Sequence, residues 1–282
     1  MSSALDFIGK ETIFYGSMIV LILGLPGDVF NTIVFLSLRT FRQSSCAFYL
    51  TVMSLMNIFQ LCFIVLSRLM LGVYGNDGTN SSEFYCKFRF FFSQFCTTFS
   101  LACFCLATFD QYCATSPFPR LRHICRIEIA RLLTSIFCTL AFLHSIPNLI
   151  FFKHNLSSST HQVTCAVTDP NYLKYRTYAV MLVFLGFLPI SVTALFGSMA
   201  YFNVRNLLYY TVPLIRRELD KQLTSMVLVQ IIIDIFVLLP YSIASVISLY
   251  INQFTDSAVR ERIRYLQNLT LILYYFHLAV RK

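Results

Sequence analysis

Apolar residues gather in seven long runs along the chain, 13–38, 46–74, 84–115, 127–152, 175–208, 219–251 and 259–280, separated by short polar connections. Crossing about 30 Å of hydrocarbon takes about 20 residues of helix. A barrel strand needs only about ten, and every backbone group in lipid must be paired within the protein. The pattern therefore predicts an all-α membrane protein, a bundle of seven transmembrane helices. One domain covers residues 13–280, with 1–12 as an extracellular N-terminal segment and 281–282 as a truncated cytoplasmic end. No basic stretch precedes a short apolar core and no small-residue cleavage site follows it, so the first run reads as a retained signal anchor. The apolar part of the last run, 265–280, reaches about 24 Å at about 1.5 Å per residue, and the seventh helix is expected to be short.

Composition narrows the picture further. Hydrophobic residues make up 57% of the 282 positions and charged residues 12%, against about 25% charged in soluble domains, which excludes a soluble fold. With 29 Phe and 16 Tyr against 9 Gly and 8 Pro, no long disordered or low-complexity segment fits. The net charge of +9 comes from Lys and Arg scattered in short clusters between apolar runs. That is membrane-flanking charge, and no nucleic-acid partner is expected. No CxxC pair occurs among the 10 Cys, and Cys46, Cys62, Cys96, Cys103, Cys105 and Cys138 lie inside apolar stretches, where cysteine behaves as a small hydrophobe. No metal or cofactor is implied. The histidines show no HxxxH or HExxH spacing and no GxSxG occurs, so no enzyme is expected. A membrane transporter is an alternative, although the seven runs show no evident repeat.

Orientation follows from marks that agree. With the N-terminus outside, the inner connections and end hold twelve Lys and Arg against nine outside, a mild bias toward a cytoplasmic C-terminus. The glycosylation sequons at Asn80 and Asn155 fall in connections on the proposed outer side. A third, at Asn268, lies within the seventh run, too near the bilayer to be modified. Only Cys86 and Cys165 fall on the outer side, where an oxidising compartment would pair them; the alternative is two unrelated free thiols. Pairing would pin residues 153–174 across the mouth of the bundle.

Seven helices, short loops, the outer cysteine pair and Asp110-Gln111-Tyr112 at the inner end of helix three together resemble a rhodopsin-like G-protein-coupled receptor. In that family the middle residue of the Asp-Arg-Tyr motif stands 25 residues after the helix-three cysteine, and 111 minus 86 is 25. Pro189 in helix five and Pro240 in helix six, within Leu238-Leu239-Pro240-Tyr241, resemble its helix-bending prolines. The resemblance covers almost the whole chain and implies a plasma-membrane receptor for an extracellular ligand, coupled to a heterotrimeric G protein.

The departures locate the candidate chemistry. Gln111 replaces the motif's arginine and brings neither fixed charge nor a planar fork. Asp220 stands 20 residues before Pro240, where the family often places an acid that latches that arginine; Gln111 could give it one neutral hydrogen bond, a weak latch. Its alternative role is an exposed member of the charged run 216–221. Helix one carries Asp28 and helix two Asn57, the reverse of the family's order, and Ser100 occupies the third position of that polar pocket. Asp28 and Asn57 are expected to face each other, either holding sodium or a proton or bonded as packing glue. Asp234 is a further intramembrane acid of unchosen partner, Leu238 stands near the family's tryptophan position, and the chain has no Trp.

Ser93 stands seven residues after Cys86, where amine receptors keep an aspartate, and 265–280 holds no lysine for retinal, so amine and light reception are disfavoured. Arg68, Ser93, Gln94, Tyr74, Arg176 and Tyr178 in the outer half would suit a peptide carrying an acid or a C-terminal amide; Arg68 could equally snorkel to the headgroups. The family's Asn-Pro-x-x-Tyr motif and following amphipathic helix are missing before Arg281 and Lys282. An incomplete or alternatively spliced product, or loss of the inner end of the switch, is expected. The reading is an orphan receptor, peptide favoured, with a non-signalling ligand sink or dimer partner as rival.

Overall fold

The computed structural model describes residues 2–37, 44–74, 78–156, 163–206, 214–250 and 257–280. Helix one runs Ser2–Ser37. Helix two begins at Ser45–Gln60, widens into a π-type turn at Leu61–Val65 and finishes at Leu66–Tyr74. Helix three is Glu83–Thr115, and helix four is Ile127–Ser145 continued by a short turn at Pro147–Phe151. Helix five comprises Pro170–Tyr175, a wide segment Arg176–Phe187 and Leu188–Asn206. Helix six is Leu214–Leu249 and helix seven Ser257–Val280.

Six of the seven are long and apolar enough to cross a membrane. Helix seven carries Arg260, Glu261, Arg262 and Arg264 near its start, so its apolar stretch begins only at Tyr265. It closes the bundle between helices one and six. Helix three is the central post, in contact with helices two, four, five and six. Large apolar side chains such as Phe30, Leu132, Phe187 and Phe236 lie exposed on the outside, which water would not tolerate and hydrocarbon does.

The differences from the sequence expectation have local causes. Helix one starts at Ser2 rather than 13, so most of the expected N-terminal segment is helical. The turn at Gly9 packs on Asn268 and Tyr265 of helix seven, which gives the extension a surface to lie on. Helix five starts at Pro170 instead of 175, because Asp169 accepts hydrogen bonds from the backbone N–H groups of Asn171 and Tyr172 at 2.7 and 2.9 Å and proline occupies the first turn. The expected outer loop is partly an antiparallel hairpin, β1 (Phe152–Leu156) against β2 (Val163–Val167). An all-α description therefore holds for the membrane part only. In helix five the backbone N–H of Leu188 bonds Val183 O, five residues back, just before Pro189. The wide turn accommodates the donor that proline lacks and the clash its ring would make.

Two apolar clusters fill the bundle. One includes Phe35, Leu50, Met53, Phe104, Val227 and Ile231; the other, nearer the end that carries the disulfide, includes Val20, Leu61, Val65, Leu238, Tyr274 and Leu278. Gly24 fixes the helix one to helix seven spacing, since a Cβ there would lie 3.0 Å from both Cα and Cβ of Ala279. Gly24→Leu is expected to lower the unfolding midpoint by about 3–10 °C through overpacking. Phe30→Leu, on the lipid face, should leave the midpoint within about a degree, and equal shifts for the two would refute this account of the contact.

Candidate functional site

Helix three presents polar residues at helical spacing, Gln94, Thr97, Ser100, Asp110 and Gln111, and all are buried. Each meets a different neighbour, so the polar groups form tiers from one end of the bundle to the other.

At the end tied by the Cys86–Cys165 disulfide lies a cavity of about 300 Å³. Arg68, Ser93, Gln94 and Arg176, named from the sequence, all line it. Arg68 therefore faces the interior and not the headgroups. The lining also includes Arg89, Tyr241, Gln267, Asn268, Tyr274 and Tyr275, which sequence reasoning did not select. Arg89, one of the nine Lys and Arg that the charge count places outside, is buried on helix three; its place one turn after Cys86 is the available signal. Tyr178 instead hydrogen-bonds Tyr250, just past the end of helix six, and the side chain of Tyr74 lies outside the described residues. The hairpin reaches this cavity through Phe152. Its ring stacks on Phe90 at 3.9 Å, and the guanidinium of Arg176 lies 4.9 Å from the Phe152 ring and 5.5 Å from that of Phe90. Two aromatic faces orient the cation.

Below the cavity, Gln60 Nε2 donates to Thr97 Oγ1 at 2.8 Å and Thr97 shares a 3.0 Å hydrogen bond with Tyr274 OH. Tyr274 stacks on Tyr241 at 4.7 Å. This junction of helices two, three, six and seven was missed; Gln60, three residues after Asn57, and Thr97, three before Ser100, continue the same helix faces. One tier further in, Ser100 Oγ donates to Asn57 Oδ1 at 2.8 Å. Asn57 Nδ2 makes no hydrogen bond, so of the two alternatives for Asp28 and Asn57 the direct bond as packing glue is not formed. Asp28 is buried, and Thr32 Oγ1 bonds its backbone oxygen. Asp234 accepts from Gln230 Nε2 at 2.8 Å on its own helix, one turn away. Pro240 lies inside helix six, and Leu238 is fully buried.

At the opposite end Asp110 Oδ2 accepts from Ser45 Oγ at 2.6 Å, a bond from the start of helix two. Gln111 Oε1 accepts a long 3.4 Å bond from Thr224 Oγ1 of helix six. The side chain of Asp220, one turn earlier, lies outside the described residues. The connection after helix three folds back on it, with Arg122 Nε bonding Ser116 O at 2.7 Å and Cys125 Sγ donating to Asp110 O at 3.4 Å. A hydrogen bond with Cys113, reinforced by burial, pushes the Cys125 thiol well up, in keeping with its role as donor to Asp110 O. Asn80 and Asn155 are exposed near the disulfide. Asn155 sits on β1 opposite Thr164, and His154 beside it bonds Thr79 O at 2.7 Å. Among the described residues no cluster of His, Cys, Asp or Glu could hold a metal.

The bundle thus has a polar cavity at one end and polar contacts between helices at the other, joined by helix three. The family described as 7 transmembrane receptor (rhodopsin family) matches residues 30–280, and the chain belongs to that family. It is a multi-pass membrane protein with G-protein-coupled receptor activity. The comparison with curated proteins yields no match.

Proposed function

We propose that an extracellular ligand, a peptide by preference, binds the cavity lined by Arg68, Ser93, Gln94 and Arg176, and that a heterotrimeric G protein engages the opposite end, at the plasma membrane with the N-terminus outside. The observation that carries this reading is the polar face of helix three, which borders the cavity at Gln94 and Thr97 and meets helices two and six at Asp110 and Gln111. Ligand contacts that favour one packing of helix six against helix three shift the populations of two arrangements. Asn80, Asn155 and the disulfide at one end support the orientation. Asp28, Asn57 and Ser100 supply the polar core that couples helices one to three, and Pro189 and Pro240 the points of bending. Enzymatic activity has no part in this reading.

Gln111 gives helix three only a neutral contact to helix six, by Thr224 and, in this proposal, by Asp220. The test is nucleotide exchange on a panel of purified G proteins by the receptor in lipid discs. Wild type should exceed empty discs, and Gln111→Arg, which restores a cation and five donors, should raise exchange at least fivefold. If neither variant exceeds empty discs on any G protein, the transducing reading fails and the ligand-sink or dimer-partner reading replaces it.

A further inference from the structure

We infer that a groove on the bilayer side of helices three, four and five holds an uncharged lipid with a fused-ring body and a single hydroxyl, a sterol by chemistry, and that this hydroxyl bonds His144. The groove has a volume of about 610 Å³ and shares no lining residue with the arginine-lined cavity. Small side chains at Ala102 and Cys105 of helix three and Ala141 of helix four leave the space between the helices unfilled. Leu101 and Ala141 at its back are buried, whereas Leu140, Phe184 and Leu188 on its rim are exposed. That exposure is toward hydrocarbon, because all three helices are membrane spans. A ligand therefore enters from the bilayer.

Apart from the Cys105 thiol, the lining is polar only at His144 and Thr98. The imidazole of His144 lies 5.3 Å from the Phe184 ring, and its Nε2 is buried with no hydrogen-bond partner. Such an atom is costly, the more so where no water reaches it. A hydroxyl satisfies it in either tautomer, accepting from Nε2–H or donating to bare Nε2. Thr98 Oγ1 accepts from Gln94 Nε2 at 3.0 Å, which leaves its own proton as a second donor to the same head. A wholly apolar chain would leave Nε2 unpaired. A charged headgroup would enter unpaired instead, since no Lys, Arg, Asp or Glu lines the groove among the described residues. The shape selects the body. From Thr98 to Phe109 the groove follows helix three for about 16 Å at about 1.5 Å per residue, and its volume over that length is broader than one extended alkyl chain. Phe109, Phe137, Phe184 and Phe196 offer flat apolar faces along it.

The test is photolabelling of the purified full chain, in phosphatidylcholine discs, by a diazirine-bearing cholesterol, with unlabelled lipids as competitors. Labelling is expected to saturate with sterol content and to map to residues 98–109, 137–144 and 184–196. Cholesterol should compete, and cholestane, the same ring body without the hydroxyl, should compete about fivefold less well. Hexadecanol, a single chain with the same head, should also compete less well than cholesterol. His144→Phe should lower the apparent affinity about fivefold. His144→Gln, which keeps a hydrogen-bonding tip, should recover most of that loss, and Ala102→Phe, which fills the groove, should abolish saturable labelling. Phe30→Leu, on the lipid face of helix one, should change nothing. If His144→Phe yields no folded protein, cholesterol against cholestane on the wild type decides. Labelling that stays linear in sterol content, or that spreads over the outward faces of all helices, marks bulk lipid and overturns the inference. Equal competition by cholestane overturns the hydroxyl requirement, and stronger competition by hexadecanol overturns the ring body. Nucleotide exchange plays no part in the readout, so the result stands apart from the coupling proposal.

Discussion

Replacing Cys86 and Cys165 together by serine is expected to lower the unfolding midpoint of the purified receptor by about 10 °C. The bond joins positions separated by 79 residues, and a crosslink closing so long a segment restricts the unfolded chain by about 2–5 kcal/mol, each kcal/mol moving a domain of this size by about 2–4 °C. A second effect is local. The crosslink holds β2, and through it β1, against helix three, and Phe152 of β1 is one of the two rings that orient Arg176. The double variant should therefore also speed hydrogen exchange at the backbone amides of β1 and β2, which a purely entropic crosslink would leave alone. Cys62→Ser, at an exposed thiol on helix two, serves as the control and should change neither quantity. A midpoint shift below about 2 °C in the double variant would show that the hairpin is held by its packing alone.

The second large effect is expected at the other end. Ser45→Ala should raise ligand-independent nucleotide exchange about tenfold, whereas Thr224→Ala should raise it no more than threefold. The magnitudes set this ranking. Ser45 Oγ lies 2.6 Å from Asp110 Oδ2, with both residues buried, and a hydrogen bond to a carboxylate contributes about 1.5–3 kcal/mol net. The bond from Thr224 to Gln111 is neutral and 3.4 Å long, worth about 0.5 kcal/mol. If both bonds hold the resting packing of helix three, each about 1.4 kcal/mol removed shifts the two populations tenfold. Basal exchange by the two variants in lipid discs decides the matter. A reversed ranking, or a lowered midpoint for Ser45→Ala with unchanged exchange, would assign the Ser45–Asp110 bond to stability alone.

Helix number and the extent of the apolar spans were legible in the chain because lipid imposes a length and an unbroken apolar run on every span, whereas the polar extension of helix one back to Ser2 was not. Helix three, expected from 84, begins at Glu83. Helix five, expected from 175, was misjudged because Asp169 and Pro170 form a polar cap outside the apolar run, and hydropathy carries no capping signal. Of the cavity residues, Arg68, Ser93, Gln94 and Arg176 were legible as polar exceptions in the outer half. Arg89 was not, because one more arginine near a span end looks like a membrane-flanking charge.

Pairings were harder to read than positions. Asp28, Asn57 and Asp234 stood out as intramembrane polar groups, which hydrocarbon makes costly. Their partners did not follow, since a rotation of a few tens of degrees about a helix axis exchanges one neighbour for another. Asn57 takes Ser100 and Asp234 takes Gln230, while the junction of Gln60, Thr97 and Tyr274 draws on three helices that no local spacing connects.

The sequence by itself determined the membrane-spanning class, the order of the helices and the extent of their apolar spans, and the polar residues available to a site, because each follows from local composition against a solvent of known thickness. Only the tertiary structure decided that three arginines from three helices share one cavity, that Phe90 and Phe152 orient one of them, and that Ser45 and not Gln111 makes the shorter tie at the end opposite the disulfide. Those relations depend on helix rotation and spacing, which are set by close contacts such as Gly24 on Ala279 and are not encoded at any single position.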